Sequence, residues 1–128
     1  MQLPEIQYET RSDAPFNSHV FYVLASRYCR YVLYVFILSS EPSMELDDLT
    51  ERVEFIRVHT EHPSVGAREQ LSSTLINITL PRLAAIGAID YDSRTQTIRY
   101  HPSPTLEEYA HHSAYQELPS DLLESERP

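Results

Sequence analysis

Gln70, Ser73, Thr74 and Asn77 recur at three- and four-residue spacing inside REQLSSTLINITLPRLAAI. On a helix that spacing gathers them on one face. Asn and Gln can hydrogen-bond an adenine edge through two atoms, and Ser and Thr hydroxyls suit several bases. The opposite side of the segment carries Leu71, Leu75, Ile76, Ile78, Leu80, Leu83 and Ile86. That is the apolar arc a core would absorb. A helix so divided, with Arg68 near its start, has the chemistry to read base edges. Arg94 and Arg99, in IDYDSRTQTIRY, are the nearest cations downstream. They suit phosphate or minor-groove contacts. A plain solvated helix face would show the same division, so the elements that position it matter.

Other chemistries find little support. Gly66 and Gly87 are the only glycines, which leaves no loop to cradle a phosphate. No nucleophile elbow is present, and Cys29, the single cysteine, has no evident His partner. It reads as a small buried hydrophobe, with no intrachain disulfide to form. Asp47-Asp48 and Glu107-Glu108 look like a helix start and a solvated face. His59, His62 and the pair His111-His112 lack a nearby Cys, and neighbours on a helix diverge by about 100°. They read as exposed side chains. No catalysis, metal or cofactor is therefore expected.

Charge pulls the other way. The chain has 19 acidic and 10 basic residues, a formal net charge of −9, and every basic residue is Arg. Excess carboxylate without Lys points to adaptation to high salt, where molar ions shorten the Debye length to about 3 Å. Residues 65–101 carry four Arg against three acids, whereas 1–64 and 102–128 are each −5. The candidate reading segment is thus the one stretch that is not acidic. Four Arg neutralise few phosphates, so a DNA-binding role calls for two copies.

The chain order follows from periodicity. Residues 1–16 are polar and aperiodic and read as a flexible arm. Asn17-Ser18 caps a short helix near 19–25, and Ser26 caps a second at 27–38. The second, RYCRYVLYVFIL, is apolar on nearly every face and should be the buried central helix. Its Tyr28, Tyr31 and Tyr34 form a core or dimer stripe. Ser43-Met44-Glu45 can make a short strand. A helix with Leu46, Leu49, Val53 and Ile56 or Arg57 inward follows, then a connector at 58–64. A long helix at about 66–86 ends at Gly87. Pro81 should kink or break it, because Pro removes one backbone bond and clashes with the Asn77 carbonyl. Residues 88–101 switch to alternation, a hairpin signal without Asn-Gly or Asp-Gly at the turn. Thr105 caps a last helix to 118, and 119–128 read as an acidic disordered tail. The longest apolar run, 31–38, is far short of the ~20 residues of a membrane span. MQLPEIQYETRSD offers no cationic start or apolar run for a signal peptide. A cytoplasmic protein is expected.

Arg30-Tyr31-Val32-Leu33, Asp48-Leu49-Thr50-Glu51, Thr79-Leu80-Pro81-Arg82-Leu83 and Gly87-Ala88-Ile89-Asp90-Tyr91-Asp92 together carry a resemblance. Over about 19–101 the chain resembles haloarchaeal winged helix-turn-helix domains of unknown function. That family usually has His just before the Pro. Asn77 and Thr79 stand there instead, so no role of those His carries over. The resemblance implies the fold and a regulatory role, with no known ligand or target.

The expectation is a mainly α protein with a small β-hairpin, a winged helix-turn-helix domain at 17–101 and a C-terminal helix at 102–118. Its function would be transcriptional regulation through double-stranded DNA, as a homodimer. The candidate contacts are Arg68, Gln70, Ser73, Thr74, Asn77, Arg94 and Arg99. Leu106, Tyr109 and Leu118 of the last helix, or else the first helix, would make the dimer surface. The alternative is a winged-helix module that docks another protein without touching DNA.

Overall fold

Ser26 divides the first apolar run into two helices, α1 (Ser18–Ala25) and α2 (Arg27–Ser39). Its extended backbone starts α2, and its hydroxyl accepts the Cys29 N–H at 3.5 Å. The structure, a computed structural model, describes residues 18–60 and 68–125. The expected arm at 1–16, the Asn17 cap, and residues 61–67 with His62 lie outside the described residues. Residues 126–128 do as well.

Cys29 and Tyr31 through Phe36 are all buried, so α2 is the central helix the sequence predicts. Tyr31 and Tyr34 are 1% exposed and so belong to the core, while Tyr28 is half-buried at its edge. Burying side chains such as Val32 and Leu33 contributes roughly 1.5–3 kcal/mol each. Ser40, in the left-handed region at φ 62°, closes α2 by donating its N–H to the Phe36 carbonyl.

β1 (Ser43–Glu45) leads into α3 (Leu46–Thr60), which buries Leu46, Leu49, Thr50, Val53, Ile56 and Arg57. α4 (Arg68–Thr74), a π-helical turn (Leu75–Thr79) and α5 (Leu80–Ala85) then form one long helix. The expected break at Pro81 takes the form of that π turn. Leu80 donates its N–H to the Leu75 carbonyl, five residues back, so the wider turn accommodates the ring of Pro81 without ending the helix.

Gly87 ends the helix with φ 79°, and Ala88 donates its N–H to the Leu83 carbonyl at 3.0 Å. A Cβ at Gly87 would meet nothing within 4 Å, so only backbone strain opposes a side chain there. Gly87→Ala should cost about 1 kcal/mol in urea unfolding, and a neutral result would contradict that origin.

β2 (Ile89–Asp92) and β3 (Thr97–Tyr100) make the hairpin, and β1 pairs with the far side of β3, giving the order β1-β3-β2. Tyr91 and Met44 flank Ile98, with Ile89 opposite Tyr100. Period two sends these residues to the core and Ser43, Glu45, Asp90, Asp92, Thr97 and Arg99 outward. The turn needs no Asn-Gly. Asp92 Oδ1 accepts the Arg94 N–H at 3.0 Å, and Gln96 takes the left-handed conformation at φ 58°.

α6 (Pro104–Glu117) is capped by Ser103, not Thr105. The Ser103 hydroxyl accepts the Leu106 N–H, and Pro104 fills the first helical position, where no N–H is required. α6 docks on α2 through Glu117. Arg30 donates Nε and a terminal N–H to the two Glu117 oxygens, both at 2.8 Å, and Tyr34 donates its hydroxyl at 2.8 Å. Burial alone would raise the Glu117 carboxyl. The hydrogen bonds from Arg30 and Tyr34, and the Arg30 charge, outweigh it and hold the carboxyl below the usual range. Residues 120–125 of the expected disordered tail form a short helix, α7 (Ser120–Ser125), because Leu122 finds apolar cover and is 5% exposed.

The described chain is mainly helical with a three-stranded antiparallel sheet, a winged-helix-like arrangement.

Candidate nucleic-acid interface

The π turn sets which side of the long helix faces out. A regular helix running on from Leu71 and Leu75 would turn Ile78 and Arg82 inward. One extra residue in the turn advances the phase by about 100°. The buried series is accordingly Leu71, Leu75, Thr79, Leu80 and Leu83. Ile78, expected in the core, is 47% exposed, and Ile76 and Ile86 are only half-buried. Thr79 sits at 1% exposure instead, where its carbonyl accepts from the Cys29 thiol at 4.0 Å. Burial pushes that thiol's pKa up, so Cys29 stays protonated.

The four polar candidates lie where the spacing puts them. Gln70, Ser73 and Asn77 are exposed and Thr74 is half-buried. Asn77 Nδ2 donates to Ser73 Oγ at 3.1 Å, which holds the amide along the exposed face. Arg68 is the first residue of α4. Ile78 is exposed next to Asn77, whereas the exposed Arg82 lies beside Tyr22, Val23, Ala85 and Ile86, on the α1 side of the helix. The only sequence signal for their exposure was Pro81, whose helical strain could have been resolved by a break as well as by an added residue.

Arg94 and Arg99 are both exposed on the hairpin, Arg94 in the turn and Arg99 on the outer face of β3. Arg99 stands in register with Asp90 on one side and Ser43 on the other. Asp90 in turn meets His101 at 2.8 Å. With Glu45 and Asp92 also outward, the sheet's outer face is not basic. Gln70, Ser73, Thr74 and Asn77 carry no charge, and Arg94 is exposed at the hairpin tip.

α3 packs against α4, which carries this face. Thr60 links α3 to the core by accepting or donating with Tyr31 at 2.9 Å. Among the described residues, no three His, Cys, Asp or Glu side chains gather as metal ligands would. No described helix is long and apolar enough to cross a membrane.

Leu106 and Leu118, expected to seek a partner chain, are buried in their own chain at 7% and 5% exposure, because α6 packs against α2. Among the described residues, large apolar side chains left outward are Phe21 and Tyr22 on α1, Phe55 and Val58 on α3, Ile78 in the π turn, and Tyr109 and Tyr115 on α6.

No curated protein and no solved structure matches the chain. Residues 21–99, from α1 through β3 and more than half of the chain, match a family model. The chain belongs to the family described as Domain of unknown function (DUF7344).

Proposed function

We propose that the chain is a winged helix-turn-helix regulator that binds double-stranded DNA as a homodimer in a high-salt cytoplasm. One observation carries this: Gln70, Ser73 and Asn77 are exposed on one helix face while Leu71, Leu75 and Leu83 behind them are at most 5% exposed. A reader helix needs short hydrogen-bonding side chains in front and a rigid apolar anchor behind. The packing of α3 on α4 supports a helix-turn-helix pair, and the hairpin with Arg94 supports a wing. Competition of a native upstream fragment against random DNA, in molar KCl, is the test. Preference for the native fragment supports the proposal, and equal affinity for both overturns it.

A protein-docking module is the second reading. Glu45, Asp90 and Asp92 beside Arg99 favour it, since they would repel phosphate.

The dimer rests on need and on surface. Few cations per chain call for two copies, and Phe21, Tyr22 and Tyr115, at 58%, 75% and 75% exposure, offer aromatic area of the kind interfaces bury. Light scattering in molar KCl should give about twice the 14.8 kDa of one chain. A 14.8 kDa species would count against it. The all-Arg, −9 composition should make folding salt-dependent. The thermal midpoint should climb from about 0.1 M to about 3 M KCl as repulsion is screened. A flat response would remove the high-salt assignment.

A further inference from the structure

Between α2, α3 and the α6–α7 corner lies a cavity of about 260 Å³. Val35 and Leu38 of α2, Phe55 and Ile56 of α3, and Leu118 and Leu122 line it. Arg52 is the one charged group on its wall. The cavity opens partly to solvent, with Phe55 47% exposed on its rim, and a void of about 150 Å³ already holds a benzene. Drug-sized sites begin near 300 Å³, so this one fits a ligand somewhat smaller, of roughly nine or ten non-hydrogen atoms. Apolar walls with a single polar group are the usual build of a small-molecule site.

The polar end decides the chemistry of the ligand. Arg52 Nε donates to Asp48 at 3.2 Å, and a terminal nitrogen lies 3.9 Å from Glu41. Two carboxylates therefore already compensate the guanidinium, on a chain of net charge −9. A further anion would meet repulsion. A guanidinium carries five N–H groups, so donors remain for a neutral oxygen. An ammonium would face the guanidinium itself.

We propose that this cavity is a binding site for a small neutral amphipathic molecule, an apolar chain or ring ending in one hydroxyl or carbonyl oxygen that accepts from Arg52. Phe55, Ile56 and Arg52 belong to α3, so a bound ligand presses on the helix that supports α4. The site stands without the DNA-binding proposal, and only that coupling rests on it.

Octanol, titrated into the full chain and followed through side-chain methyl resonances, tests the site directly. Octanoate and octylamine are the charged controls. Saturable shifts should appear on Val35, Leu38, Ile56, Leu118 and Leu122, with Leu75 and Ile89 unmoved. Octanol should bind more tightly than either charged analogue. Leu38→Trp, at a half-buried position that can grow into the space, should weaken octanol by about tenfold or more. Unmoved Leu75 and Ile89 resonances would show that this variant is folded. Phe55→Ala, at an exposed position, should also weaken binding and serves if Leu38→Trp does not fold. Shifts that never saturate, shifts spread evenly over the chain, or a preference for octanoate or octylamine would each overturn the proposal.

Discussion

Glu117→Ala should lower the unfolding free energy by about 2–3 kcal/mol at neutral pH. Glu117 accepts a two-pronged pair from Arg30 and a third hydrogen bond from Tyr34, all at 2.8 Å. Hydrogen bonds to charged groups contribute about 1.5–3 kcal/mol each, and breaking a fully buried pair costs about 3–5 kcal/mol. Here the side chains retain 22% and 24% exposure, so water recovers part of the loss. Arg30 would still hold the Leu24 carbonyl at 2.9 Å, which fixes it over a vacated partner. Glu117→Gln keeps the shape and loses the charge, so its cost should be smaller.

The same residue gives a pH signature. The folded carboxyl lies below its unfolded value, near 4.3 for Glu. Its contribution is therefore complete above that value and disappears as pH falls through the folded pKa. Urea unfolding of wild type and Glu117→Ala should differ by a constant amount near neutrality and converge in acid. A gap that does not narrow at all as the solution is acidified would show that the lost stability is packing and not the ion pair.

The second large effect concerns separable contacts to DNA. Asn77→Ala and Gln70→Ala should each cost about 1–3 kcal/mol on the preferred sequence and relax the preference at one base position. Asn77 should show the larger loss, because its amide is already held by Ser73. Arg94→Ala should weaken every sequence about equally and reduce the salt slope by about one. Arg99→Ala should do the same more weakly, since Asp90 stands opposite it. All four positions are exposed, so the variants should keep wild-type stability. Identical sequence-independent losses for all four would leave the helix face without a reading role.

Much of the fold was legible because period is a local property. The switch at residue 88 from helical spacing to alternation marked the hairpin, and Gly87 marked the helix end. The short strand at 43–45 could be read, but its partner could not. Pairing with the outer edge of β3 is a contact between distant residues. The helix face was legible in its polar half, because Gln70, Ser73 and Asn77 precede the π turn or sit inside it. Its apolar half was misphased at Ile78, since an inserted residue within one turn leaves no trace in composition. The C-terminal region was the least legible. Leu106 and Leu118 look surplus in sequence and Leu122 falls in what reads as a disordered tail, and only the docking of Glu117 on Arg30 shows that α2 has a second face for this region. The same docking makes one wall of the apolar cavity, which no segment of sequence displays alone.

Selection of bound sequences from a random duplex library, in molar KCl, tests the central claim most directly. A dimer that reads DNA through α4 should enrich a two-fold symmetric motif with half-sites about one helical turn apart, and with adenine at positions lost in Asn77→Ala. Recovery of no motif, or of one unchanged in both Gln70→Ala and Asn77→Ala, would contradict it and leave the protein-docking alternative in its place.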